Sequence, residues 1–187
     1  LLCWTAAAQV GCVLLGMGLG NVDGLTGSLT GLMSLGLAEC ALFLAVAAFT
    51  ERSGSLETRS LAGIGRSMPL TLGAFAVATL GLFGAPPTVG FVSKWYLVLG
   101  ALQSGLWPLA LLFLALAVAA LTALGRVVEV ACFEPSPVGR GPVAEAPLSL
   151  LLPMWIAALG SVALGIASAG SAGVAARAAG ALLEVAL

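Results

Sequence analysis

Histidine is absent from the 187 residues, and cysteine is scarce and scattered. The four cysteines stand singly within apolar runs, with no C-x-x-C spacing, at Cys3, Cys12, Cys40 and Cys132. Because the zinc and haem sites that proteins build draw mainly on paired Cys and His ligands, this composition argues against such a site and predicts neither a metal nor a cofactor. We interpret the four cysteines as small apolar side chains.

Charge is also scarce, since charged residues make up 8% of the chain and apolar residues 60%. Soluble domains carry about 25% charged residues, so an ordinary water-soluble surface is excluded. Seven basic and eight acidic side chains give a net charge of −1, which indicates no nucleic-acid partner and no strongly acidic one. We expect an integral membrane protein that contacts the lipid bilayer and has no soluble catalytic domain.

The start of the chain lacks an initiator methionine, a basic leader segment and a cleavage site. It opens directly within an apolar run, at Leu1. We therefore expect a fragment of a longer protein, cut within a helix.

Apolar runs are abundant, and several approach the length of about 20 residues that a helix needs to cross a membrane. Charged, proline and glycine residues separate six of them, at about 1–20, 28–49, 69–84, 87–105, 106–133 and 147–168. They predict an all-α fold, a polytopic transmembrane helix bundle of about six spans. Residues 169–187 hold Arg177 and Glu184 in an Ala- and Leu-rich stretch, which favours a C-terminal helix lying along the membrane interface.

Glycine, with 25 residues, is frequent within these runs. Gly16, Gly18 and Gly20 alternate in the first run, and Gly27 and Gly31 stand four residues apart in the second. Small residues let membrane helices approach closely. This pattern predicts tight helix packing rather than a phosphate-binding loop.

Two ionisable side chains stand out within the apolar runs: Glu39 in the second, and Lys94, the only lysine, in the fourth. A charge at a helix centre costs about 2.5 to 3.5 kcal/mol on insertion scales, so each is a functional hypothesis. Burial disfavours the charged form of either group and so favours proton exchange near neutral pH. We interpret both as candidate proton-relay residues that face protein or water rather than lipid.

The residues before Lys94 predict a broken helix. Pro86 and Pro87 cannot donate backbone hydrogen bonds, and Gly84 and Gly90 loosen the chain on either side. Broken helices at membrane depth recur in transporters, and a lysine beside freed carbonyls could exchange protons with water. From the residues alone, a lysine that reaches the membrane interface beside Trp95 and Tyr96 is an equal alternative.

Arg126 and Glu129 form a secondary candidate near the end of the fifth run. Residues three apart share a helix face and can pair. The plainer interpretation is an interfacial ion pair.

The segment from Gly84 to Tyr96 resembles the signature of the antiporter-like proton-pumping subunits of respiratory complex I, membrane-bound hydrogenases and Mrp-type cation/proton antiporters. Three further segments are similar to motifs of that family: Gln9–Gly11 to its Gln-Ile-Gly helix, Leu61–Pro69 to its Leu-x-Gly-Leu-Gly-Arg-x-Met-Pro motif, and Glu145–Ser149 to the lead-in to its last helix. The resemblance extends over nearly all of the chain. Among the branches, the motifs look most like the Mrp-type antiporters, with the complex I subunits close behind.

The resemblance implies the C-terminal part of a fourteen-helix protein that associates with other membrane subunits in a prokaryotic inner membrane. Lys94 matches the family's lysine on a broken helix, which passes protons towards one membrane face. The chain would not be catalytic alone, although it could belong to a proton-translocating NADH:quinone oxidoreductase.

The chain departs from the family in its second run. Related subunits carry a His-x-x-x-His-x-x-x-Lys ladder there, whereas this sequence has Gly31, Leu35 and Glu39. Either Glu39 takes over the relay with bound water, or the protein conducts poorly and serves as structure. A structural subunit with a decayed relay and an unrelated small-solute transporter therefore stay open as alternatives.

Overall fold

The computed structural model describes residues 1–54, 58–135 and 144–186, and all regular structure in these ranges is helical. The described ranges hold seven α-helices: α1 Leu2–Gly18, α2 Val22–Ser53, α3 Pro69–Phe83, α4 Val89–Gln103, α5 Trp107–Phe133, α6 Leu148–Ile166 and α7 Ser168–Ala186. Two short 3-10 helices, Thr58–Leu61 and Ile64–Arg66, lie between α2 and α3. The prediction of an all-α fold is confirmed.

Three stretches of the described chain are long and apolar enough to cross a membrane: Val22–Arg52, Trp107–Phe133 and Leu148–Ile166. The shorter apolar helices are Leu2–Gly18, Pro69–Phe83 and Ala172–Leu183. At about 1.5 Å per residue, the 15 residues of α3 and of α4 each reach about 22 Å, less than the hydrocarbon thickness of about 30 Å. The number of complete crossings therefore stays a prediction.

Helix α2 is the centre of the bundle and packs against α1, α3, α4, α6 and α7. Its inner face is built from small side chains, and Ala38, Ala41 and Ala45 are fully buried. Further along the helix, Phe49 packs against Phe75 of α3, with ring centroids 6.0 Å apart. The small residues let neighbouring helices approach α2 closely, so their positions determine where the other helices lie.

Helices α2 and α4 approach each other closely along a seam of small residues. A side chain at Gly27 would place its Cβ atom 2.7 Å from the backbone nitrogen of Leu97, and one at Gly31 would come 2.8 Å from Ser93 Oγ. The Ser93 hydroxyl donates a hydrogen bond to the Gly27 carbonyl at 2.8 Å. Tight packing is confirmed at this pair, whereas Gly18 has open space beside it.

The predicted interfacial helix is α7, which packs against α2, α4 and α6. Its alanines at Ala172, Ala175 and Ala179 are buried. Whether the helix lies along a membrane surface stays a prediction, and the Glu184 side chain lies outside the described part of the chain.

Glu145 ties the segment before α6 to the first turn of α3. Its carboxylate accepts hydrogen bonds from the Leu70 backbone nitrogen at 3.0 Å and from the Thr71 hydroxyl at 2.6 Å. The first N–H groups of a helix have no partner within the helix, and a carboxylate there also suits the helix dipole. Glu145 therefore stabilises the start of α3 from a distant part of the chain.

We expect Glu145→Ala to destabilise the full-length protein by about 1 to 3 kcal/mol, because it leaves those donors without a charged acceptor. Glu129→Ala is the matched control, since that carboxylate is exposed and its ion pair contributes about 1 kcal/mol or less. Thermal unfolding of the purified variants in detergent is the measurement. Equal midpoints for the two variants would contradict the capping role.

Candidate proton-relay site

The helix is interrupted between α3 and α4, where the two prolines stand. Helix α3 ends at Phe83, and Gly84 adopts a left-handed conformation with φ of 89°. The backbone nitrogens of Gly84 and Ala85 both donate to the Leu80 carbonyl, at 3.0 and 2.9 Å. Helix α4 begins at Val89, so the interruption spans 84–88.

The interruption leaves the Leu82 carbonyl without a helical partner. In a continuous helix this oxygen would accept from the residue four positions later, which is Pro86 and has no N–H. Two side chains take that place: Lys94 Nζ donates to the oxygen at 2.6 Å, and Gln9 Nε2 donates at 3.1 Å. The proline thus creates the acceptor that holds the lysine.

Three glycines allow the backbone to approach closely here. A Cβ atom at Gly90 would lie 2.0 Å from the Gly81 carbonyl oxygen, and one at Gly84 would lie 2.9 Å from Lys94 Cδ. Gly165 of α6, which the sequence did not single out, packs against the interruption, since its Cβ would lie 2.0 Å from the Pro87 oxygen. The site is closed by backbone-to-backbone contact.

A cavity of about 10 Å³ lies beside Lys94. Its lining comes from α1, α2, α3 and α4 and includes Gln9, Cys12, Leu35 and Ser93. A cavity must offer about 10 to 15 Å³ to hold one water molecule. This space is therefore about the size of a single water molecule.

Lys94 and its aromatic neighbour face different spaces. The Lys94 amine turns into the bundle towards Leu82, whereas Trp95 lies 57% exposed along a separate cavity of about 660 Å³ between α4, α6 and α7. A lysine that reaches the membrane interface would direct its amine towards the aromatic side chains of Trp95 and Tyr96. The observed geometry favours the alternative, a lysine held at the helix break.

Glu39 is turned into the bundle, as expected, and is 8% exposed. Neither carboxylate oxygen has a hydrogen-bond partner within the described ranges. Among those residues Glu39 also forms no ion pair with Lys94, whose amine is bonded to Leu82. The structure thus does not join the two relay candidates directly.

The Gly31 and Leu35 positions separate the two candidates. Ser93 lies so close to Gly31 that a larger side chain would collide with it. Leu35 lines the cavity beside Lys94, and Glu39 follows one helical turn later on the same face of α2. An apolar turn therefore lies between the lysine and the acid.

The secondary candidates form an exposed ion-pair cluster. Arg126 Nη1 lies 2.8 Å from Glu129 Oε1, and Nη2 lies 3.0 Å from Glu134 Oε1. Both arginine contacts are at the end of α5, far in sequence from the helix break. Their exposure agrees with the plainer interpretation of an interfacial pair.

Residues 1–120 match the family described as "NADH:quinone oxidoreductase/Mrp antiporter, TM". A curated relative is NADH-quinone oxidoreductase subunit N from Desulforudis audaxviator (strain MP104C), which is 36% identical over 178 residues. The alignment covers 89% of this chain and 36% of that relative. The chain therefore spans about a third of the length of that relative.

Two solved structures are similar in fold. One is the Mrp complex from Dietzia sp. DQ12-45-1b, with a TM-score of 0.83, 23% identity, and coverage of 91% of this chain and 40% of the matched chain. The other is the membrane-bound sulfane sulfur reductase, an archaeal respiratory membrane complex, with a TM-score of 0.78, 30% identity, and coverage of 84% and 26%. The predicted resemblance is confirmed at the level of the family and its fold.

We expect Gly165→Ala to destabilise the protein by about 1 to 3 kcal/mol, because the added methyl group would overlap the backbone of the helix break. Gly160→Ala, on the same helix, meets only ordinary contacts with Leu37 at 3.7 Å and is the matched control. Since alanine favours a helix over glycine by about 0.5 to 1 kcal/mol, the control should be neutral or stabilising. Thermal unfolding that ranks the two variants in the opposite order would contradict this packing.

Proposed function

Because this chain belongs to the family of NADH:quinone oxidoreductase and Mrp antiporter membrane subunits, we propose that it relays protons through Lys94, with Glu39 as a second exchanging group. The chain is an integral protein of the prokaryotic inner membrane. It works with other membrane subunits in a larger complex, and any electron transfer takes place elsewhere in that complex. The relative at 36% identity supports a complex of the NADH:quinone oxidoreductase type, with an Mrp-type antiporter as the alternative. Family membership argues against an unrelated small-solute transporter.

One observation carries the proposal: the Lys94 amine rests on a carbonyl that the broken helix leaves free, beside space for one water. A proton can leave the amine only for a nearby acceptor or water. The Leu82 oxygen holds the charged amine in place, and the cavity admits the water that would take its proton. Pro86 is therefore part of the relay, since it creates this acceptor.

Glu39 enters the proposal because its carboxyl group is buried and none of the described residues donates a hydrogen bond to it. A buried charge without a partner is costly, so the carboxylate should either bind a proton or accept a hydrogen bond from a water molecule. In both cases Glu39 could take up a proton and release it again during transport. The Leu35 turn between Glu39 and Lys94 must then be bridged by water during turnover.

A second candidate function, a structural subunit with a decayed relay, is favoured by the narrowness of the same region. Ser93 closes the Gly31 position, and the cavity beside Lys94 fits one water. In that case Lys94 would serve only to satisfy the Leu82 carbonyl. The two functions differ in whether the lysine must release its proton.

We expect Lys94→Met and Lys94→Arg both to abolish proton movement in the full-length protein within its assembled complex. Methionine removes the exchanging group, and arginine keeps a charged donor that does not release its proton. Proton movement across proteoliposomes, followed with a pH-sensitive dye, is the measurement. Arg126→Met, which removes an exposed cation from α5, should keep the wild-type rate.

Recovery of wild-type flux by Lys94→Arg would show that only the positive charge is needed, and wild-type flux in Lys94→Met would show that the lysine is not required. Either result would contradict the relay.

We expect Glu39→Gln to reduce flux by about tenfold or more, because the amide keeps the shape of the side chain and removes its exchangeable proton. Glu39→Lys, which restores the residue that the family usually has, should retain part of the flux. Glu129→Gln, at the exposed pair on α5, is the control for the loss of a carboxylate. Unchanged flux in Glu39→Gln would make Glu39 a structural residue and strengthen the decayed-relay alternative.

A further inference from the structure

The acceptor that holds Lys94 has a second donor, Gln9, to which the relay assigns no part. We propose that Gln9 is a positioning residue for Lys94: it shares the Leu82 carbonyl with the amine and keeps that carbonyl satisfied when the lysine releases its proton. This inference rests on the proposed function of Lys94. It gives a side chain of α1 a specific effect on proton exchange at the helix break.

The geometry allows both donors to bind at once. A carbonyl oxygen has two lone pairs, and the two nitrogens lie 2.6 and 3.1 Å from the Leu82 oxygen. The shorter bond belongs to the amine, as charge-assisted bonds are shorter than neutral ones. Gln9 reaches the oxygen from α1 and Lys94 from α4, so two helices converge on one atom of α3.

Sharing the acceptor changes how firmly the charged lysine is held. A carbonyl that bonds only to the ammonium would stabilise its charged form fully. A second donor takes up part of the negative potential of the same oxygen and weakens that hold. Gln9 does not titrate, so its bond remains after the lysine has become neutral and a weaker donor.

The other titratable groups on the helices around α4 do not line the cavity beside Lys94, apart from one thiol. The titratable residues on the helices packed against it are Cys3 and Cys12 on α1, Asp23, Glu39, Cys40, Glu51 and Arg52 on α2, Arg126, Glu129 and Cys132 on α5, and Arg177 and Glu184 on α7. Helices α3 and α6 carry none. Of these residues, within the part of the chain that the structure describes, only Cys12 lines the cavity with Lys94, and a thiol is a weak donor.

The test is the pH profile of proton flux in Gln9→Met, measured on the full-length protein within its assembled complex. Methionine keeps the length of the side chain and removes the donor. Because the lysine would then hold its proton more firmly, the rise of flux on the acidic side should move to higher pH by about half to one unit, the range that one neutral hydrogen bond corresponds to.

Gln103→Met is the matched control, because the chain has two glutamines and Gln103 donates to Asp23 at the far end of α4. Its pH profile should coincide with that of the wild type. Gln9→Asn keeps an amide but is one methylene shorter, so it should shift the profile in the same direction as Gln9→Met. It provides the test if Gln9→Met assembles poorly.

An unchanged pH profile in the assembled Gln9 variants, a uniform loss of flux without a shift, or an equal shift in Gln103→Met would each overturn the inference. Lys94→Met, measured alongside, separates this failure from that of the relay. If Lys94→Met loses flux while the Gln9 profile stays unchanged, the relay survives and only the role of Gln9 is wrong. Wild-type flux in Lys94→Met would overturn both.

Discussion

The bilayer interior offers no water to a freed backbone carbonyl, and the arrangement of this bundle depends on how the Leu82 carbonyl is satisfied. Pro86 removes its helical donor, and side chains from α1 and α4 replace that donor. Both helices must therefore lie close to the end of α3. The lysine is thus bound in place by the same interruption that frees its acceptor.

Small residues allow helices α2, α3 and α4 to pack closely enough for this arrangement. Gly27 and Gly31 bring α4 against α2, and Gly90 brings its first turn against the end of α3. Asn21 ties the start of α2 to the end of α4 by donating to the Gly100 carbonyl at 2.7 Å. Helix α4 is thereby held at both ends, and Lys94 lies between them.

The same closeness limits the path towards Glu39. At Gly31 the space that a histidine would need is taken by Ser93. The absence of the family's histidine at this position therefore agrees with the close packing of α2 and α4. A relay along α2 then requires water to enter beside Leu35, where the cavity fits one molecule. Proton transfer would require more water beside Leu35, whereas the close packing of the helices excludes it. For this reason a structural subunit with a decayed relay is the main alternative.

The sequence identified the parts of this site that depend on local chemistry. Charged residues and helix-breaking residues are both unusual in an apolar membrane helix. The lysine, the acid and the glycines around two prolines can therefore be recognised without a structure. Gln9 entered only through a motif, and its hydrogen bond to Leu82 could not be predicted, since 73 residues separate the two. Gly165 was missed for the same reason: its close contact depends on where α6 crosses the break. That Glu39 has no hydrogen-bond partner among the described residues likewise depends on how α2 is surrounded.

The central claim, that Lys94 exchanges its proton, is tested most directly by observing its side-chain nitrogen. In the full-length protein with ¹⁵N-labelled lysine, the Lys94 resonance can be assigned by its loss in Lys94→Met and followed by NMR as the pH is changed. The account predicts that this nitrogen passes from the charged to the neutral form within the pH range in which the complex moves protons. A Lys94 amine that stays charged throughout that range would contradict it.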